Sequence, residues 1–304
     1  MRCFQSSNHG GDAAVALENF FQLPGSPPDV DEQAFLALAR AEGTIRSKIY
    51  RPNSLKSPNS PQHLRIRNCK FIEISFSKTV VEDIEFKDCT FTSCLFVGTV
   101  FKNCRFNDCV FLDCNTYRIE FVDVYLNPRS FSQCLDKKRH QNIGVHLYQE
   151  LLNNSRRQSQ PDFAQDSLFE FRRWLRFEHI YMLIQKKFEN VGQIELVGRI
   201  VESWLLEKLL GFGVRLRNYI GTAVLVALTL TIINNTWASE LGLKLSEDSF
   251  VDSLYFTVIT LTTIGYGDIT PTTTLGKLIV SGEGITGFVL FATLASMVYR
   301  KILP

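Results

Sequence analysis

The chain lacks the features that mark many functional classes. It carries 33 Lys and Arg against 31 Asp and Glu, a net charge of +2, so no global field draws nucleic acid to it. Met1 to Asn19 contains no basic start running into an apolar stretch, and a secretory signal is not expected. The histidines, His9, His63, His140, His146 and His179, are scattered and suggest no shared metal or catalytic centre. No nucleotide-binding pattern or catalytic cluster is present, so neither an enzyme nor a resident cofactor is expected. Long apolar runs are missing from the first two thirds and appear only in the last. The mean hydropathy of +0.00, with 21% charged residues, therefore averages a polar front and an apolar end. A length of 304 residues suits about two domains.

What is abundant is phenylalanine, with 24 residues. Phe71, Phe76, Phe86, Phe91, Phe96, Phe101, Phe106, Phe111 and Phe121 fall on one register of five, which also passes through Ile66, Val81, Thr116 and Leu126. Two residues before each stands a small or apolar residue, among them Cys69, Ile74, Ile84, Cys89, Cys94, Cys104, Cys109, Cys114, Ile119 and Val124. A period of five fits neither the helical 3.6 nor the strand's 2. It fits a square solenoid with four pentapeptides per coil. About thirteen repeats over 62–127 predict about three coils, with phenylalanines stacked at a strand-like ~4.8 Å.

This segment resembles pentapeptide-repeat proteins, which implies a right-handed quadrilateral β-helix. Six of the eight cysteines take the small inward position. Cys69, Cys89 and Cys109 should stack on one face and Cys94 and Cys114 on the next. Spacings of five without intervening histidine disfavour zinc, and buried packing thiols are expected. Some such proteins mimic DNA with acid surfaces. Here residues 64–126 balance eight basic against nine acidic residues, so a scaffold that assembles or positions subunits is favoured over a ligand or partner sensor. A short helix over 29–41, with Phe35, Leu36 and Leu38, is a candidate N-terminal cap. Met1 to about Pro28, with Gly10-Gly11 and Pro24-Gly25-Ser26-Pro27-Pro28, reads as loosely ordered.

From 144 to 190 the pattern becomes helical. Val145, Tyr148, Leu151 and Leu152 share one face; Phe163, Leu168, Phe171, Leu175 and Ile184 suggest a longer second helix. A third, about 195–210, carries Leu196, Ile200, Trp204 and Leu209 on one side. It suits either a membrane interface or a soluble packing role.

Asn218 to Ser239 contains no charged residue, and Leu278 to Tyr299 only Glu283; each is long enough to span a bilayer, which takes ~20 residues. Lys208, Arg215 and Arg217 precede the first span and Arg300 and Lys301 follow the second, which predicts both termini in the cytoplasm. Ser249 to Thr262 is too short to span and fits a re-entrant helix. After it comes Thr262-Thr263-Ile264-Gly265-Tyr266-Gly267-Asp268. Glycines alternating with larger residues let consecutive backbone carbonyls face one axis, and such oxygens can replace the water around a potassium ion.

The order of span, short helix, glycine-rich segment and span resembles two-transmembrane potassium channels over about 214–302. The resemblance implies a homotetramer in a lipid bilayer, with K+ as the transported ion. It implies that the backbone oxygens of Thr263, Ile264, Gly265 and Tyr266, with the Thr263 hydroxyl, line the ion sites. The Tyr266 ring packs against Tyr255 and Phe256, Gly267 allows the turn at the mouth, and Asp268 sits behind the outer end. Ile259 stands where some relatives have a glutamate that bonds this aspartate, which puts that form of inactivation in doubt. Gly287 matches the inner-helix hinge and Ala292 the small residue where helices cross. Glu283, the intramembrane charge, is expected to bond pore-helix hydroxyls.

The expected fold is multidomain. An N-terminal segment and cap (1–61) leads to a pentapeptide-repeat β-helix (62–127) and a cytoplasmic helical linker (128–210). An all-α pore domain (211–304) follows, with spans at about 218–239 and 278–299, a pore helix at 249–262 and the filter at 263–267. The expected function is a potassium-selective channel of the cell inner membrane, its repeat domain serving assembly or gating, with an unknown ligand or protein partner. A non-selective cation channel, or a membrane-tethered scaffold with a vestigial pore, are the alternatives. No arginine-repeat helix is present, so voltage sensing of the usual kind is not expected.

Overall fold

The computed structural model describes residues 20–41, 43–58, 62–186, 192–245 and 250–302, without the side chains of 300–302. Expectations for Met1 to Asn19, for Ser249 and for the Arg300 and Lys301 side chains lie outside them. The chain forms two compact units, 1–200 and 201–304.

The first unit is built on three parallel sheets. One runs through Asp29–Val30, Thr44–Tyr50, Lys70–Ser75, Thr90–Thr92 and Val110–Leu112. The second holds Ser54–Lys56, Val80–Glu82, Val100–Lys102 and Glu120–Val122; the third holds Leu64–Arg67, Ile84–Lys87, Arg105–Asn107 and Tyr125–Leu126. Single bridges from Ser75 to Leu95 to Asn115 make a fourth side.

The period of five has a backbone cause. Asn68, Glu73, Lys78, Asp83, Asp88, Ser93, Asn103, Asp108, Asp113, Arg118 and Asp123 all have φ between 45° and 60°, and Gly98 at 65° fills the gap in the series. One left-handed residue per pentapeptide turns each corner, which explains the excess of Asp and Asn there. The strain is offset by ladder bonds to the next coil, such as Asn68 N–H to the Lys87 carbonyl at 3.0 Å.

Inside, the phenylalanines form columns. Phe71–Phe91 and Phe91–Phe111 stack at 4.8 Å and Phe86–Phe106 at 5.0 Å, close to the strand spacing, while Phe76–Phe96 and Phe101–Phe121 lie at 5.8 and 5.9 Å. The inward cysteines are buried; Cys89, Cys94, Cys104, Cys109 and Cys114 donate to a carbonyl one coil away, as Cys104 does to Val81 at 3.4 Å, and Cys69 donates to Ala39 of the capping helix. Burial pushes the Cys104 thiol up to about 12, which keeps it protonated and unreactive.

The solenoid extends past 62–127 in both directions. Ile45 pairs with Phe71 and Leu55 with Val81, so one more coil lies upstream of the expected first one. Ile45, Tyr50 and Leu55 keep the period of five among themselves but stand one position off the register of Phe71, Phe76 and Val81, and this hid them. The expected three coils are too few, since the longest sheet is five strands deep. At the other end Phe131 stacks on Phe111 at 4.2 Å, and the Cys134 thiol donates to the Cys114 carbonyl.

Both ends are closed. Helix α1, Glu32–Arg40, is N-capped by Asp31 and inserts fully buried Phe35 against Tyr50 and Phe76, each at 5.4 Å. Leu38 of the same helix faces outward. Helix α2, Gln141–Arg157, closes the far end through Asn154. Its amide accepts from Val124 N–H at 3.1 Å and donates to the Val124 carbonyl at 2.7 Å, as a further strand would. Helix α3, Pro161–Ile184, packs on α2 where Gly144 lies against Trp174; a Cβ there would come within 2.1 Å of the ring. Ile184, expected on the packed face, is 71% exposed, and Phe169 and Trp174 are buried instead.

Helix α4, Gln193–Leu210, crosses the division between the units. Leu196 is buried, whereas Trp204 and Leu209 of the same expected face are exposed. In the second unit Gly211, Phe212 and Gly213 all take positive φ and reverse the chain into α5, Leu216–Thr236. A single turn, Ala238–Leu241, follows, then α6, Phe250–Leu261, and α7, Thr274–Ile302. α5 and α7 are long and apolar enough to cross a bilayer. Most of their apolar side chains, including Leu225, Ile232, Ile285 and Phe291, are exposed in one chain.

Candidate ion pathway

The segment after α6 has an alternating backbone. Thr263, Gly265 and Gly267 have φ of 57°, 51° and 80°, with Ile264 and Tyr266 between them outside that region. A residue such as Thr reaches positive φ only at a cost, so its occurrence before two glycines marks a constrained backbone. The N–H groups are turned back onto the end of α6. Thr263 donates to the Thr260 carbonyl at 3.1 Å, and Ile264 and Gly265 both donate to Ile259 at 2.9 and 3.2 Å. Among the described residues no donor is bonded to the carbonyls of Thr263, Ile264, Gly265 or Tyr266. All four residues are exposed in a single chain. The α6 C-terminus adds the negative end of its dipole.

Around this segment, Tyr255 of α6 lies near the Asp268 carboxylate. Tyr266 is 71% exposed. Phe256 packs with Leu241 and Leu243 at 3% exposure, which anchors α6.

Gly287 lies where α7 crosses the end of α6: a Cβ there would come within 2.1 Å of the Leu261 carbonyl oxygen. α7 runs unbroken through it. Ala292 is exposed in one chain. The Tyr219 hydroxyl of α5 donates to the Leu290 carbonyl of α7.

Glu283 does reach α6, but through a residue the sequence reading missed. Its Oε2 accepts from Asn234 Nδ2 at 3.2 Å, and the same nitrogen donates to the Thr257 hydroxyl at 3.0 Å. Asn235 accepts from Ser253, one turn earlier on α6, at 3.2 Å. Asn234, Thr257 and Ser253 have no exposed surface and Glu283 only 3%. Asn234 Oδ1 and Glu283 Oε1 are buried without a donor among the described residues. Each unsatisfied acceptor costs roughly 1–3 kcal/mol. An uncharged asparagine in an apolar span hardly moves a hydropathy average, and only its Asn-Asn pairing hinted at it.

Two parts of the chain match known families. Residues 64–138 match the family described as pentapeptide repeat region, and residues 221–303 the one described as ion channel. The chain thus joins a segment that matches pentapeptide repeats to one that matches ion channels. Its pore unit is similar to potassium channels. It is 52% identical over 44 residues to the hyperpolarization-activated voltage-gated potassium channel of Methanocaldococcus jannaschii, covering 14% of this chain and 21% of that one. It is 41% identical over 61 residues to a voltage-gated potassium channel of Aeropyrum pernix, covering 19% and 21%. Over 101 residues it is 34% identical to the human potassium voltage-gated channel subfamily KQT member 4, covering 33% and 13%. The chain therefore spans about a fifth or less of the length of these relatives.

Proposed function

We propose that four copies of this chain form a potassium-selective channel around a common axis. The observation that carries this reading is the alternating backbone of Thr263–Gly267 with its free carbonyls. A residue inverted at every second position turns successive carbonyls to one side, and four such segments form cages of oxygen around a dehydrated cation. One chain supplies a quarter of each cage, so a closed fourfold ring is required. In this assembly the oxygens of Thr263, Ile264, Gly265 and Tyr266 and the Thr263 hydroxyl bind K+ as cargo. Gly267 turns the chain at the mouth, and Asp268, near Tyr255, sits behind its outer end. Gly287 serves as the pivot of α7, resting on Leu261, and Ala292 as the small residue at the inner crossing.

The exposed apolar faces of α5 and α7 meet lipid and neighbouring copies. Both termini lie in the cytoplasm of a cell membrane, by the distribution of Lys and Arg. The repeat domain is a rigid element for assembly or gating, open to a ligand or protein partner.

The test is efflux from liposomes holding the purified protein, with potassium and sodium compared and barium as blocker. Barium-sensitive efflux that strongly favours potassium is expected. Equal sodium efflux would replace this reading with a non-selective pore. No efflux, even from Ala292→Asp, a variant meant to hold the inner crossing open, would replace it with a membrane-tethered scaffold.

A further inference from the structure

We propose that Asn234 is a positioning residue that couples the inner helix α7 to the pore helix α6, and so to the carbonyl-lined segment; this rests on the channel reading above. Asn234 Nδ2 has two hydrogens, and the structure uses both: one for Thr257 on α6 at 3.0 Å, one for Glu283 on α7 at 3.2 Å. The Thr257 hydroxyl already donates to the Ser253 carbonyl at 2.8 Å, so toward Asn234 it can only accept. Asn234 therefore bridges the two helices from a third.

The geometry makes this a mechanical link. Asn235 holds Ser253 one turn earlier, so two consecutive amides of α5 grip one face of α6. Glu283 lies one turn before Gly287, whose backbone rests on the Leu261 carbonyl. α7 thus meets α6 at two points a turn apart, once directly and once through Asn234. Any movement of α7 that carries Glu283 away must break the Asn234 bond or displace α6. Polar groups between membrane helices act as directional ties, and apolar packing would have filled the same space without orphaned acceptors. Asn234 Oδ1 and Glu283 Oε1 are such orphans.

Those orphans make the idea testable. Glu283→Gln keeps an oxygen to accept from Asn234 Nδ2 and adds an N–H for Asn234 Oδ1. We expect it to raise the thermal midpoint of the detergent-solubilised protein and to keep its potassium-to-sodium efflux ratio. Asn234→Leu removes both ties while filling the space. It is expected to leave the subunit count unchanged, yet to alter the efflux ratio or the barium block by about fivefold or more.

A purely structural Asn234 would shift the midpoint alone, so an Asn234→Leu protein with unchanged ratio and barium block overturns the coupling. So does a Glu283→Gln protein that loses selectivity as Asn234→Leu does. If neither the unaltered protein nor Ala292→Asp carries efflux, the channel reading falls and the coupling with it. The Glu283→Gln midpoint, which needs no conduction, then still reports on the hydrogen bonding itself.

Discussion

The two units satisfy their backbones in opposite ways. In the solenoid every coil lends its carbonyls to the next, the phenylalanine columns are enclosed, and even the last coil finds an amide in Asn154. In the pore unit the carbonyls of Thr263 to Tyr266 are left without donors among the described residues, and the faces of α5 and α7 without cover. The first unit encloses its core within one chain; the second leaves carbonyls and apolar helix faces open in one chain. In the first unit the informative residues are buried; in the second, exposed carbonyls and helix faces join the buried Asn234 and Glu283 as the informative features.

The sharpest way to break this contrast is at Gly267, where an added side chain meets no atom within 4 Å in one chain but φ is +80°. Gly267→Asp is expected to abolish barium-sensitive potassium efflux while the subunit count is kept, and Gly267→Ala to reduce it strongly through the backbone alone. Unchanged selectivity in Gly267→Asp would remove the filter assignment. Next is Phe91→Ala, in the middle of a fully enclosed column, which should cost about 3–5 kcal/mol. Its readout is a lowered unfolding midpoint of the β-rich unit by circular dichroism. A midpoint within error of the parent would mean that the column repacks.

A smaller effect concerns acid. His140 stacks on Phe20 at 3.7 Å, and its Nδ1 accepts from the Asp136 N–H at 3.3 Å. Burial holds the imidazole below its ordinary value, with Arg139 acting the same way and Asp136 and Asp113 opposing. The folded state then binds fewer protons than the unfolded one as pH falls through about 6.5, so stability declines as the pH drops below that value. His140→Gln should flatten that decline; a slope equal to the parent's would show that another group sets it. The smallest effect is expected from Val110→Thr on the outer face, 43% exposed, within about 0.5 kcal/mol of the parent.

The register of five was legible because each pentapeptide repeats the same demand: a left-handed corner, a phenylalanine, a small residue. The upstream coil was not, because the longer link from Leu55 to Ile66 moved Ile45, Tyr50 and Leu55 off that register. Asn154 was hidden for another reason: it acts on an earlier coil from a helix whose own pattern does not need it. In the pore unit, charge drew the eye to Glu283, whereas the contact to α6 is made by an uncharged neighbour in space. Phe256 was placed by analogy of position, and its packing against Leu241 and Leu243 could not be read from spacing.

The corner residues carry one further consequence. Each pentapeptide contributes one bend, and strands pair four pentapeptides on, as Phe91 does with Phe111 and Phe101 with Phe121. Heading and height are therefore quantised in the length of the chain. Adding four pentapeptides between two coils would lift α2 and α3 by ~4.8 Å without changing their direction. Adding a single pentapeptide would swing both helices by a quarter turn about the solenoid axis. Insertions of any other length would land between corners and need a loop to absorb them. The stretch from Leu55 to Ile66 is longer than its counterpart from Val81 to Phe86 one coil on. In such a molecule the number of residues is an angle, and a change in length is a change in aim.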